Sequence, residues 1–483
     1  MAFRARLGAG LLIAACALTV VVARAAHATS TGLPGRSCHL PGYEQSLRCF
    51  GIEVPVDYLQ ASGEKMRLQV IVAPAFREAA RPDPVFVLAG GPGQAGSDIL
   101  RLLDTTFRKA RATRDIVFID QRGTGLSGKL DCDNLQALVE QELPEQEVAI
   151  EACMKSLGRP YRFYNTEYSA RDLDQVRQAL KFERINLWGS SYGTRLGQAY
   201  ARLFPAQIRS LILDAVVAPD QIIFAWGRDG QAALDRMFTN CVENRACATA
   251  YPNLPAQFKS LLRRVAEGSI KIDFSHPRTA RQTTINLTSP KFLQTVRAAL
   301  YSADSRSRLP FLIDSADKGN WQPFLAQMYS TTDISVDGPA IGLLLSIACA
   351  EDMSRLTPAI VSEEEGNSFL AASEIKLIRR WCRFVEVPAI PFREPTPIDA
   401  PSLLLSGALD PVTPPRRAES AMKQMPHAQH FAVANAGHGI SQLGCAPRLL
   451  REFLDHPEQA LKADCLKEIP PTSFQLGNAG PHP

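Results

Sequence analysis

The chain carries no excess of either charge: 53 lysines and arginines face 49 aspartates and glutamates, a formal net of +4. That balance excludes the basic face of a nucleic-acid binder and the long acidic run of a solvating tail. Partners are therefore expected among small molecules and peptides. None of the 11 cysteines stands in a C-x-x-C pair, which argues against a zinc site, and no metal or organic cofactor is implied. Past the N-terminus no apolar run approaches the roughly 20 residues that span a bilayer, so no transmembrane span is expected in the mature chain. No internal repeat is evident.

What is present is length and apolar content. With 483 residues, 46% of them hydrophobic, the chain exceeds the usual size of one compact domain and predicts a main domain with an insertion, or two domains. Arg4 and Arg6 precede an apolar run from Leu7 to Ala23, and Ala26-His27-Ala28 offers a small-residue cleavage site. Residues 1–28 thus read as a signal peptide, and the protein is expected to be exported, periplasmic or secreted. A lipoprotein signal at Ile13-Ala14-Ala15-Cys16 is the competing reading, but the apolar run continues past Cys16 through Val22, where a lipobox cysteine should end it.

Loss of Cys16 with the leader leaves ten cysteines, an even number suited to an oxidising compartment. They fall into sequence-local pairs: Cys38 with Cys49, Cys132 with Cys153, Cys241 with Cys247, Cys349 with Cys382, and Cys445 with Cys465. Neighbour pairing is the expectation, scattered buried thiols the alternative.

Between Val85 and Asp214, short apolar runs alternate with helical patterns, which predicts a mostly parallel sheet flanked by helices, an α/β fold. Val85–Leu88 and Ile116–Ile119 read as buried strands that run into Gly90-Gly91-Pro92-Gly93 and Asp120-Gln121-Arg122-Gly123. A helix is expected from Ser169, with Ser169 and Asp172 as a capping box and Leu173, Val176 and Leu180 as its apolar face. Ile185–Trp188 reads as the next strand, Thr194–Phe204 as a helix stopped by Pro205, and Ile208–Leu213 as another strand. From 217 to 395 the pattern becomes mainly helical, which predicts an inserted helical domain. Its exit is marked by prolines at 388, 391, 395, 397 and 401, and Leu403–Leu405 with Phe431–Val433 restores the strand pattern. The division is thus 29–216 and 396–483 for the core and 217–395 for the insertion.

Gly189-Ser190-Ser191-Tyr192-Gly193 fits G-x-S-x-G only with Ser191 at its centre, since a frame on Ser190 would need glycines at Trp188 and Tyr192. Set between a strand and a helix, this is the turn that presents a nucleophile. A serine hydroxyl needs a base, and the base an orienting acid. On such a fold they follow in the order acid, histidine, each after a later strand. Asp410 follows Leu403–Leu405 and His438 follows Phe431–Val433. Asp214, at another strand end, is the rival acid, and the bland reading of Asp410 is a helix N-cap. His427 and His430 are placed before the last strand and fit less well. The oxyanion hole is assigned to the backbone N–H of Tyr192 and of Gly91, with Gly90 as fallback, because Pro92 has no N–H.

These motifs, together with Asp120-Gln121-Arg122-Gly123-Thr124-Gly125, resemble the proline iminopeptidase and tripeptidyl aminopeptidase branch of the α/β-hydrolases. Gly437-His438-Gly439 followed by Cys445 and Cys465, and Cys49 followed by Val54-Pro55-Val56-Asp57-Tyr58, are similar to the secreted tripeptidyl aminopeptidase type. Ala89 departs from the histidine that proline iminopeptidases usually carry there, and the insertion is too divergent to align. The resemblance implies an α/β-hydrolase fold with a helical cap and a serine exopeptidase acting on peptides with a free N-terminus. Ala348-Cys349-Ala350-Glu351-Asp352 resembles the cysteine-acid segment of that cap, which makes Glu351, then Asp352, the expected substrate-binding amine anchors. Asp120-Gln121-Arg122 is read as structural, with Arg122 bracing the loop near the oxyanion site. A carboxylesterase or lipase on the same core, and a non-catalytic binding protein, are the alternatives.

Overall fold

The computed structural model describes residues 35–132, 143–158, 160–277, 279–332, 338–366 and 368–480. The leader expectations, Cys16 included, lie outside them. Among the described residues nine strands form one sheet. They are β1 (Arg36–Leu40), β2 (Tyr43–Pro55), β3 (Lys65–Ala73), β4 (Val85–Leu88), β5 (Ile116–Ile119), β6 (Ile185–Ser190) and β7 (Ile208–Asp214). After a hairpin of β8 (Ile270–Ser275) and β9 (Gln282–Leu287), which is a separate sheet, β10 (Ser402–Gly407) and β11 (Ala428–Val433) complete it. The order is β1-β2-β3-β5-β4-β6-β7-β10-β11. β1, β2, β3 and β5 pair antiparallel, and every pairing from β5 onward is parallel.

Burial on both faces explains why β4, β5 and β10 read as continuous apolar runs: all their residues are buried. One face packs Phe86, Leu88, Leu187 and Leu211 against the helices Thr166–Ala179 and Tyr192–Leu203. The other packs Phe107, Phe118 and Trp188 against the helix Ala446–Asp455 through Phe453. In helix Tyr192–Leu203, Leu196 and Tyr200 lie one turn apart on the sheet side and are fully buried. Burying such a side chain is worth about 1.5–3 kcal/mol. The helix ends at Leu203, two residues before Pro205, as the bias of a residue preceding proline requires.

Between β7 and β10 the chain forms helices from Gly227 to Trp381 around a second core that contains Phe258, Phe292 and Phe324. The stretch is mainly helical and also holds the β8–β9 hairpin. Two expectations are corrected. The helix expected from Ser169 begins at Thr166, capped by Asn165, whose side chain accepts the Tyr168 N–H. Ser169 and Asp172 lie inside it, so they form no capping box. His430 lies within β11 and meets Ser406 Oγ at 3.0 Å. The five neighbouring cysteine pairs are joined as disulfides with Cα separations of 5.2–6.3 Å, within the span a bridge allows.

Candidate active site

The order reversal at β5-β4-β6 opens a crevice at the carboxyl ends of the parallel strands, where ligands settle in sheets of this kind. Ser191 stands there, between β6 and helix Tyr192–Leu203, with φ 54° and ψ −125°. That conformation is strained for a residue with a Cβ. The flanking glycines make it possible: a Cβ on Gly189 would overlap the Gly193 carbonyl, and one on Gly193 the Leu88 carbonyl. The elbow is pinned by Ser191 N–H donating to Asp214 O at 3.0 Å and by Thr194, whose N–H and hydroxyl both donate to Ser191 O.

Asp410 follows β10 and is fully buried, with His438 Nδ1 2.8 Å from its Oδ2. It is no helix cap, since the next helix starts at Pro415. Its Oδ1 accepts the N–H groups of Val412 and Thr413, both at 2.9 Å, and its Oδ2 accepts the Thr413 hydroxyl at 2.6 Å. Thr413 is a site residue that sequence reasoning missed. Its signal was the Asp-x-x-Thr spacing, which lets a threonine fold back onto an acid three residues earlier.

Asp214, the rival acid, has another task. Its carboxylate accepts the N–H groups of Ile440 and Ser441 at 2.7–2.9 Å and so fixes the loop that carries His438. The insertion holds that loop from the other side, with Tyr301 O accepting the His438 N–H at 2.8 Å and its ring edge-on to the imidazole at 5.1 Å. Ser191, Tyr301 and Thr413 line one pocket, with Gly91, Tyr192 and Trp226. Ser191 thus shares this pocket with Tyr301 and Thr413, the two residues that contact His438.

Both assigned oxyanion donors border this pocket. The Gly90 N–H donates to Gln94 Oε1 at 3.2 Å, which favours Gly91 over the fallback. Arg122 does not brace this loop, contrary to the sequence reading. It is buried against Asp172, at 2.6 and 2.7 Å, and the carbonyls of Pro55, Val56 and Phe163. Its neighbours touch the loop instead: Gln121 Nε2 reaches Ala89 O at 3.4 Å, and Asp120 accepts the Ser97 N–H.

Glu351 and Asp352 are not on the pocket wall. Glu351 accepts the Thr166 N–H at 2.7 Å and the Thr166 hydroxyl at 2.8 Å. Asp352 has no exposed side chain and takes Arg195 Nη1 with both oxygens, at 3.0 and 3.2 Å. The amine-anchor expectation is corrected for both: each carboxylate already has its partners inside the protein.

A sequence profile described as "alpha/beta hydrolase fold" matches residues 83–250, and one described as "TAP-like protein" matches residues 370–465. The chain has the α/β-hydrolase fold. The hydrolase is 28% identical over 221 residues to "Serine protease Hip1" of Mycobacterium tuberculosis, covering 41% of this chain and 42% of that one. It is 29% identical over 236 residues to "Tripeptidyl aminopeptidase" of Streptomyces lividans, covering 44% and 43%. It is 30% identical over 184 residues to "Probable proline iminopeptidase" of Streptomyces coelicolor, covering 37% and 47%. Each match spans less than half of the relative's length.

The electrostatics of the hydrolase suit a base at neutral pH. Burial would push the His438 pKa down, but the Asp410 carboxylate outweighs it and holds the imidazole above its ordinary 6.5. Asp410 is held below the usual carboxylate range despite its burial, by His438 and the Thr413 donors. The imidazole must be neutral to accept a proton, so activity is lost as pH falls through a pKa above 6.5. The acid limb of kcat/KM is expected there, and a limb below pH 6 would contradict the assignment. Gly193→Ala is expected to lower stability by about 1–3 kcal/mol through its clash with Leu88, read as a shift in the denaturation midpoint.

Proposed function

We propose that the hydrolase is an exported serine exopeptidase that cleaves peptide bonds near a free N-terminus, with the insertion, 217–395, as a cap over the site. The observation that carries it is the pairing of His438 with the buried Asp410, whose partner Thr413 lines the pocket that bears Ser191. Ser191 Oγ attacks the scissile carbonyl while His438 Nε2 takes its proton, and Asp410 holds the imidazole through Nδ1–H. The carbonyl oxygen becomes an oxyanion that accepts from the Gly91 and Tyr192 N–H groups. Collapse breaks the C–N bond, the leaving amine takes the proton from His438, and water releases the acyl group by the same steps in reverse. Similarity to a serine protease, a tripeptidyl aminopeptidase and a probable proline iminopeptidase supports peptide as the substrate class. Five disulfides support an oxidising compartment.

The runner-up is a carboxylesterase. One observation favours it: among the described residues no carboxylate lines the pocket, and the two acids expected to bind the amine are engaged elsewhere. The test is a panel of aminoacyl, dipeptidyl and tripeptidyl fluorogenic amides and matched esters, each with free and acetylated N-termini. The exopeptidase reading expects amide cleavage that collapses on acetylation. Equal ester cleavage in both forms, with inert amides, would favour the esterase.

A further inference from the structure

A single run of the insertion touches both sides of the oxyanion site. At its start, Ala340 N–H donates to Gly93 O at 2.9 Å, in the loop that carries Gly91. A Cβ on Gly93 would overlap the Ala340 backbone, so the approach is close. The helix Ile341–Ile347 then widens into a π-helical turn, Ala348–Asp352, a feature frequent at functional sites. There Glu351 takes both Thr166 donors, and Thr166 Oγ1 lies 2.9 Å from Tyr192 Oη. The turn is anchored by the Cys349–Cys382 disulfide and by Asp352 on Arg195, one helical turn after Ser191.

Counting protons fixes the direction of this chain. The Thr166 hydroxyl has one proton, and it goes to Glu351 Oε2. Toward Tyr192 it has only a lone pair, so the Tyr192 phenol is the donor. That phenol is fully buried, and a buried hydroxyl left without a partner is costly. The relay Tyr192 O–H to Thr166 to Glu351 therefore sets where the Tyr192 side chain sits. Tyr192 directly follows the nucleophile, and its backbone N–H is the assigned oxyanion donor.

We propose that the Ala340–Glu351 run is a strut that sets the oxyanion hole from both sides, with Glu351 a positioning residue acting through Thr166 on Tyr192. This rests on the serine-hydrolase reading above. It also gives the acid first read as an amine anchor a different place in the reaction.

Glu351→Gln places an amide NH₂ against Thr166, which reverses the relay and strands the phenol proton. The expected loss is about tenfold in kcat, with KM unchanged. The loss should be equal on free and acetylated peptides and on a p-nitrophenyl ester. Tyr192→Phe keeps the backbone N–H but removes the phenol, so adding Glu351→Gln to it should cost almost nothing further. Thr166→Ser should behave as wild type. The rate of reaction with a fluorophosphonate, which needs the oxyanion hole and no amine, gives a second readout in full-length protein. A KM rise confined to free-amine substrates, additive losses in the double variant, or equal fluorophosphonate rates in wild type and Glu351→Gln would each overturn the strut. In the last case wild-type labelling would leave the serine-hydrolase reading standing. Wild type that does not label at all would end that reading, and the strut with it.

Discussion

Replacing Ser191 by alanine should lower kcat by about a millionfold, while Ser190→Ala stays within a few-fold of wild type. The two serines are adjacent, but the backbone treats them differently. Ser190 is the last residue of β6, and Ser191 is the one held at positive φ between two glycines that can carry no Cβ. Only Ser191 borders the pocket that Thr413 and Tyr301 share. The measurement is steady-state turnover of a substrate that the panel finds to be cleaved, with circular dichroism to show both variants folded. Comparable losses in the two variants would mean that the elbow, and not the hydroxyl, had been damaged.

The second large effect is expected at Asp410. Asp410→Asn should cost about 10⁴-fold in kcat, and the hydrogen bonds around the residue explain why. Oδ1 is held by two backbone N–H groups, so an asparagine keeps its carbonyl there and turns its NH₂ toward His438 and Thr413. Both of those now present donors to a donor. The imidazole must move its proton from Nδ1 to Nε2, and Nε2 then cannot take the proton of Ser191. Removing the carboxylate also removes what holds the His438 pKa up, so the acid limb of the residual activity should move to lower pH. A variant that kept wild-type turnover, or whose acid limb moved up, would remove Asp410 from the site.

Much of this was legible in the chain, for a physical reason. Parallel strands buried on both faces are mostly apolar, so β4, β6 and β10 stand out, and the loops after them can be searched for chemistry. The G-x-S-x-G frame is decided by sterics alone, which single out Ser191. What sequence could not supply was contact between distant segments. Asp172 has the spacing of a capping acid but faces Arg122, fifty residues away. Glu351 and Asp352 have the look of free acids, and only the packed insertion brings Thr166 and Arg195 to them. The hairpin is a milder case, because Ile270-Lys271-Ile272-Asp273-Phe274 alternates as a strand should, but over too few residues to stand out from the helical pattern around it. His430 was set just outside a strand that it belongs to, a boundary error of the usual size.

The central claim is that the Ser191 hydroxyl is a nucleophile activated by His438. It is tested most directly by reacting the folded protein with a fluorophosphonate and locating the adduct by peptide mass spectrometry. The account predicts one adduct per chain, on Ser191, formed faster as pH rises through the His438 pKa and absent from Ser191→Ala. An adduct on Ser190 or elsewhere, or none on folded protein, would contradict it.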